Sequence, residues 1–189
     1  MACVDRIERI CGRDLDERAL RMAVLSEIRA AVPCDAYAWL LTDPETCVGS
    51  APLAEGPSLA DLPLLIRLKY LTATNRWTSL GPDASATLVE ATGGDRSKSR
   101  FWEDLLKRYG IDDVASSVFR DQHGCWGFLD LWRRGGAFST EECTLLNDLA
   151  PVVTLALRRS LVSTFAHDVS RPDLQAGRSC CWCRTTFSC

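Results

Sequence analysis

Four of the ten cysteines lie within the last ten residues, at positions 180, 181, 183 and 189. Cys180 and Cys183 form a Cys-x-x-Cys pair, and with Cys189 and His167 they offer the four Cys or His ligands that structural zinc sites use. The second Cys-x-x-Cys pair that usually completes such a site is missing, so the metal signal is weak. The same pair could exchange a disulfide, but no strand–helix context of the thioredoxin kind follows it. We expect no metal site.

A third interpretation of this segment is that it is translated out of frame. Cysteine codons read one base earlier encode Leu, Val or Met. Shifting residues 178–189 back by one base, with GC-rich codons, gives an apolar strand pattern followed by an Asp-rich turn. We therefore expect residues 167–189 to form a cysteine-rich tail that is disordered or out of frame.

Catalytic side chains are poorly placed elsewhere. His123 lies in a predicted turn and the only other histidine is in the tail, so neither a Ser-His-Asp nor a Cys-His arrangement is well supported. Gly93-Gly94-Asp95 lacks the Gly-x-x-x-x-Gly-Lys spacing that cradles phosphate. We expect a binding protein and not an enzyme.

The remaining six cysteines are spread singly along a chain that can bury a core without disulfides, since 47% of its 189 residues are hydrophobic. We expect these six to be reduced and mostly buried: Cys3, Cys11, Cys34, Cys47, Cys125 and Cys143.

Aromatic residues cluster in two strand-like stretches, 36–41 and 125–132. Because strand side chains alternate between faces, each stretch divides into a small aliphatic face and a large aromatic face. An aromatic face that includes Asp130 suits a ligand cavity, since such sites are apolar with a few convergent polar groups. The alternative is a plain aromatic core. The predicted pocket residues are Tyr37, Trp39, Trp77, Phe119, Trp126, Phe128 and Asp130.

The elements that position these residues begin with a helix over 14–32, for which Asp14 and Glu17 form a capping-box pattern. A hairpin follows, with strands over 35–42 and 46–51. Helical stretches are predicted over 58–72 and 101–109, the second ending at Gly110. Residues 74–98 between them are irregular.

A second hairpin pairs residues 112–120 with 124–133 through a turn that contains Gly124. Ser139 and Glu142 then form a capping box for a helix that extends to about residue 165 and that Pro151 should kink. Hairpins predict an antiparallel sheet and an α+β fold. We expect the terminal helices on one face and a ligand pocket, covered by the middle helices and residues 74–98, on the other.

The net charge and the hydropathy of the sequence limit the classes of partner and the location that we expect. The net charge of −3 argues against a nucleic-acid-binding surface, which normally has a basic stripe. The longest apolar run, 149–157, is about half of the roughly 20 residues that a spanning helix needs. Charges at Asp5, Arg6 and Glu8 leave no signal-peptide core, so we expect a cytoplasmic protein.

Residues 109–159 resemble the C-terminal half of a GAF domain. The resemblance rests on a hairpin whose second strand carries Gly127-x-Leu-x-Leu131, followed by Phe138, a helix cap and a long amphipathic helix. Within that family, the runs 33–44, 66–71 with 75–77, and 90–95 are similar to the N-terminal module of actinobacterial LuxR-type transcription regulators. The similarity covers about residues 5–175.

The resemblance implies a GAF-like sensor domain over residues 14–166, preceded by an N-terminal segment, 1–13. It implies an unidentified small-molecule ligand, and it names no cofactor. Separately, we expect a homodimer through the helices over 14–32 and 139–165, because the second helix carries more apolar residues than one sheet face can cover. In such regulators a second sensory domain and a helix-turn-helix follow, and this chain ends before either. We therefore expect no DNA binding by this chain and no membrane attachment.

Two alternatives stay open. One is a dimerisation module without a ligand. The other is a cysteine-based redox enzyme, because some GAF relatives reduce methionine sulfoxide through cysteines, and Cys47 and Cys125 are the candidates here.

Overall fold

The computed structural model describes residues 2–56, 58–81 and 85–169, without the side chains of 164–169. The α-helices are α1 (Ala2–Cys11), α2 (Glu17–Ala31), α3 (Leu62–Leu71), α4 (Leu88–Ala91), α5 (Arg100–Asp104) and α6 (Thr140–Val169). The strands are β1 (Ala36–Thr42), β2 (Gly49–Glu55), β3 (Ala86–Thr87), β4 (Asp113–Asp121) and β5 (Gly124–Arg133). Short 3₁₀ helices lie at Leu59–Asp61, Trp77–Ser79, Arg96–Lys98 and Leu106–Tyr109.

The strands form one antiparallel sheet in the order β2-β1-β5-β4-β3. The two predicted hairpins, β1–β2 and β4–β5, meet through β1 and β5, so β5 is central. The α+β class and the antiparallel sheet are confirmed. The two-residue strand β3 was not predicted, since Ala86 and Thr87 lie in a segment without an alternating pattern.

The terminal helices cover one face of the sheet, as expected. Helices α1, α2 and α6 pack there around a core of aliphatic and aromatic side chains that includes Ile7, Val24, Leu129 and Leu157. We call this side the terminal-helix face. The N-terminal segment therefore includes a helix that packs with the domain.

The middle-helix face carries the second core. Leu65 of α3, Leu88 of α4 and Phe101 of α5 pack there against Val118 and Phe128 of the sheet. The two cores are separated by the sheet itself, so alternate residues of β1, β4 and β5 contribute to different cores.

Side chains next to the helix ends cap α2 and α6. Asp16, and not Asp14, caps α2 by accepting a hydrogen bond from the Ala19 amide at 2.8 Å. The Ser139–Glu142 capping box is confirmed, because Ser139 Oγ accepts from the Glu142 amide at 3.2 Å and Glu142 Oε2 accepts from the Ser139 amide at 2.7 Å. Helix α6 continues through Pro151.

Helix α6 lies close to β5 at one glycine. A Cβ on Gly127 would stand 2.7 Å from the carbonyl oxygen of Leu40 in β1 and 3.7 Å from Leu157 Cδ1 in α6. A side chain at Gly127 would clash with the β1 backbone. The Leu157 side chain of α6 lies over this glycine at ordinary van der Waals distance.

All six scattered cysteines are free thiols. Cys11 and Cys125 are buried and the other four are partly exposed, so the expectation of mostly buried cysteines was too strong. Residues 170–189, which include Cys180, Cys183 and Cys189, lie outside the described residues, as does the side chain of His167. Among the helices described, none is long and apolar enough to cross a membrane.

Candidate functional site

The seven predicted pocket residues are divided between the two faces of the sheet. Trp77, Phe128 and Asp130 belong to the middle-helix face. The other four pack with the terminal helices, so the expectation of one shared cavity is wrong: Tyr37, Trp39, Phe119 and Trp126.

The register of β1 explains one part of this error. Ala38 is paired with Asp130 across the β1–β5 ladder. Paired residues share a face, so Ala38 lies on the Asp130 side and its neighbours Tyr37 and Trp39 on the other. The aromatic face of β1 is therefore opposite the face of β5 that carries Asp130.

A bulge in β5 explains the position of Trp126. Phe119 is paired with Gly127, and the next residue, Arg120, is paired with Cys125. Trp126 is thus an extra residue, and the alternation of faces reverses across it. The aromatic ring lies among the terminal helices, where its Nε1 donates to Asp121 Oδ1 at 3.0 Å.

The middle-helix face contains a buried ion pair that the sequence analysis missed. Lys69 Nζ of α3 lies 3.3 Å from Asp130 Oδ1 of β5, and both side chains are fully buried. Lys69 follows Leu65 by one helical turn, so the two side chains share the inward face of α3. That spacing, together with an aspartate in a central strand, was the available signal for an internal cation.

Two more side chains converge on the same carboxylate oxygen. Ser116 Oγ of β4 donates to Asp130 Oδ1 at 2.6 Å, and Trp77 Nε1 donates to it at 2.8 Å. Lys69 Nζ also donates to Ser116 Oγ at 2.9 Å and to the carbonyl oxygen of Asn75 at 2.7 Å. Asp130 Oδ1 therefore accepts two hydrogen bonds and also pairs with the Lys69 ammonium.

Two buried acceptors at this centre have no hydrogen-bond partner among the described residues. They are Asp130 Oδ2 and Asn75 Oδ1. Asn75 adopts a φ of 52°, and its Nδ2 donates to the carbonyl oxygens of Ala86 and Val114 at 3.2 and 3.4 Å. Unpaired buried acceptors cost free energy, so the centre can accept further donors.

Aromatic rings enclose the ion pair. Trp77 stacks on Phe128 with ring centroids 5.1 Å apart, and Tyr70 contacts both rings edge-on. Lys69 Nζ lies 5.3 Å from the centroid of Trp77 and 5.4 Å from that of Phe101. Burial lowers the pKa of Lys69, and the Asp130 carboxylate opposes that shift.

The middle-helix face also has one small cleft. A cleft lies between α3, the turn at 106–109 and the β1–β2 hairpin, with Leu65, Leu105 and Trp132 in its walls. Its free volume is about 20 Å³, roughly enough for one water molecule. No residue of the ion-pair centre lines this cleft. Because Lys69 and Asp130 are fully buried, a ligand at Asp130 requires α3 or the segment after it to move.

The candidate redox cysteines lie on the same side of the sheet. Both pack with the middle-helix core, and Arg120 Nη2 approaches Cys47 Sγ at 3.6 Å. Burial raises the pKa of the Cys125 thiol, which is the opposite of the shift that activates a thiolate.

Comparison with known proteins gives matches among solved structures alone, since no protein-family profile and no curated protein matches the sequence. One similar structure is the N-acylhomoserine lactone dependent LuxR family transcription factor CepR2 from Burkholderia cenocepacia. It has a TM-score of 0.55 and 16% identity over 87% of this chain and 97% of CepR2. The chain has a GAF-like fold.

Two GAF domains support that assignment. The GAF domain/HD domain protein from Geobacter sulfurreducens matches this GAF-like domain with a TM-score of 0.51 and 16% identity, over 78% of this chain and 96% of the other. A phycoerythrobilin-bound GAF domain from a cyanobacterial phytochrome matches with a TM-score of 0.52 and 17% identity, over 88% and 96%.

Proposed function

We propose that this GAF-like domain is a sensory input domain of a LuxR-type transcription regulator and that it binds a small molecule on its middle-helix face. The observation that carries the proposal is the enclosed polar centre of Lys69, Asp130, Ser116 and Trp77. It combines aromatic walls with convergent polar groups, which is the usual composition of a small-molecule site.

A purely structural role explains this centre less well. Replacing a buried ion pair by apolar residues of similar volume is often neutral or stabilising, because removing two charges from water is costly. A core that only had to fold would need neither Lys69 nor Asp130. The unpaired Asp130 Oδ2 and Asn75 Oδ1 add further cost that donors on a ligand would offset.

The related structures are consistent with this role. CepR2 is described as dependent on an N-acylhomoserine lactone, and the phytochrome domain is bound to phycoerythrobilin. We propose by analogy that the present domain also responds to a small molecule, acts without catalysing a reaction, and works in the cytoplasm as a homodimer. Its net charge of −3 favours ligand binding over DNA binding.

Native mass spectrometry of the full chain purified from its own host tests the proposal. We expect an adduct on the wild-type protein that is absent from Asp130→Asn and present on Asp148→Asn, an exposed control on α6. A domain that carries no adduct, and that gains none when incubated with host metabolite extract, would contradict the sensory role.

The dimerisation module remains the second candidate because of three exposed apolar side chains on the outer helices. Met22 of α2 is 53% exposed, and Leu155 and Val162 of α6 are 42% and 58% exposed. A stable dimer without any adduct would favour this alternative.

A further inference from the structure

The surroundings of the Lys69 ammonium match the needs of a primary ammonium group. Such a group has three N–H donors, and three oxygens surround Lys69 Nζ. They are the Asn75 carbonyl oxygen at 2.7 Å, Ser116 Oγ at 2.9 Å and Asp130 Oδ1 at 3.3 Å. Within the described residues the ammonium therefore has two hydrogen-bond acceptors and one ion-pair partner.

The rings complete a cation-binding cage. Cations are attracted to aromatic faces within about 6 Å of the ring centroid. The Trp77 and Phe101 rings, at 5.3 and 5.4 Å from Lys69 Nζ, meet this condition. Phe128 stacks on Trp77 with an interplanar angle of 7°, which fixes that ring in place.

The cage has more acceptors than its own lysine uses. Asp130 Oδ2 and Asn75 Oδ1 are buried and unpaired within the described chain. The centre thus favours a ligand that brings donors and positive charge over one that brings acceptors.

The need to keep the Asp130 carboxylate paired limits the chemical class of the ligand further. Lys69 and Asp130 are both fully buried and are enclosed by aromatic rings, which leaves no room for a ligand beside the intact ion pair. A neutral ligand that displaced Lys69 would leave the buried Asp130 carboxylate unpaired, at a cost of several kcal/mol. A ligand that carries its own ammonium keeps the carboxylate paired throughout.

We propose that this cage is a binding site for the primary ammonium group of a small organic molecule, and that Lys69 occupies it in the ligand-free domain. The inference rests on the proposed sensory function, whose ligand it assigns to a chemical class. Lys69 is fully buried but lies in the last turn of α3, so its withdrawal requires that turn to open. Its flexible four-carbon side chain can then carry the ammonium towards solvent.

Chemical rescue with n-propylammonium tests the cage directly. The change Lys69→Ala removes the atoms from Cγ to Nζ, which together correspond to n-propylammonium. We expect the full-length variant to melt at a lower temperature than the wild type. Added n-propylammonium should raise its Tm in proportion to the logarithm of concentration once the site is mostly filled.

Three controls separate an ammonium site from a simple cavity. Propan-1-ol has the same carbon chain without the charge and should raise the Tm much less. Lys69→Met fills the space with an apolar chain and should not respond to n-propylammonium. The double variant Lys69→Ala/Asp130→Asn should also lose the response, because the carboxylate is gone.

The proposal is overturned if n-propylammonium gives no rise or if propan-1-ol gives an equal one. Should Lys69→Ala not fold alone, the yield on refolding from urea with either additive provides the same comparison, and equal yields overturn it. Rescue without any natural adduct on the wild type would support the cage and reject the sensory function. A neutral natural adduct on the wild type, without rescue of Lys69→Ala by n-propylammonium, would support the sensory function and reject the cage.

Discussion

The ammonium of Lys69 and the carboxylate of Asp130 connect α3 to the central strand across 3.3 Å, and both side chains are fully buried. This contact couples the helix that covers the middle-helix face to the strand shared by both cores. Removing one partner leaves the other charge uncompensated in the protein interior.

A double-mutant cycle measures this coupling. We expect Asp130→Asn and Lys69→Met each to reduce the free energy of unfolding by about 3–5 kcal/mol. The double variant should lose less than the sum, by about 0.5–3 kcal/mol, because no unpaired charge remains. Urea unfolding of the four proteins provides the values, and additive losses would show that the two groups do not interact.

Trp126 is expected to behave as an ordinary core residue of the terminal-helix face. Trp126→Ala should cost about 3–5 kcal/mol, since a buried aromatic side chain is removed. Trp102→Ala, at a partly exposed ring, is the control and should cost clearly less. Thermal and urea unfolding measure both, and a mild loss at Trp126 would contradict its placement in the core. Trp126→Ala should leave the Lys69 cage unchanged, because Trp126 packs on the terminal-helix face.

The stability of the α6 cap should depend on pH. Arg133 donates to both carboxylate oxygens of Glu142, at 2.6 and 2.8 Å, and this pairing holds the pKa of Glu142 below its usual range. We expect Glu142→Gln to lose about 1.5–3 kcal/mol at pH 7, as for hydrogen bonds to charged groups.

The direction of this pH dependence follows from the lowered pKa of Glu142. The contribution of Glu142 is fully present above its unfolded pKa of about 4.3 and disappears as pH falls through the lower folded pKa. The difference in the free energy of unfolding between the wild type and Glu142→Gln should therefore disappear at acidic pH. Asp148→Asn, at an exposed position of α6, should show no comparable gap. A gap that stays constant down to pH 3, measured by urea unfolding, would exclude this ion pair as its source.

The outer face of α6 should mediate dimerisation. We expect sedimentation at tens of micromolar, a concentration well above typical weak dissociation constants, to show a dimer. Leu155→Glu should shift it towards the monomer, because the charge would be buried at the interface. Val48→Glu, at a residue 62% exposed outside the helices, should leave the dimer intact. A wild-type monomer would refute the prediction.

Local patterns made much of the fold predictable. The hairpin of β4 and β5 has strong alternation and a glycine turn, and the Ser139–Glu142 box marks the start of α6. These signals depend on neighbouring residues alone. The cap of α2 was misplaced by two residues because Asp14 and Asp16 both offer a carboxylate, and the backbone selected the second.

The candidate site was less predictable because it depends on contacts between distant segments. Lys69 looks like a solvent-facing charge until α3 is placed over Asp130, which is 61 positions later in the sequence. Trp126 changes face through a bulge that an alternating pattern does not reveal. Asp130 itself was identified, since a carboxylate among apolar strand residues is conspicuous in sequence.

The contact at Gly127 connects the central strand to the middle of α6. The Leu157 side chain of α6 lies over Gly127 of β5, one residue from Phe128 and three from Asp130 on the opposite face. Helix α6 has 30 residues and is therefore about 45 Å long. Leu157 lies about 18 Å from the C-terminal end of the helix at Val169, so a tilt of about 3° at the strand would displace that end by roughly 1 Å. A small rearrangement around the buried ammonium would thus reach the C-terminal end of the helix through Gly127 and Leu157.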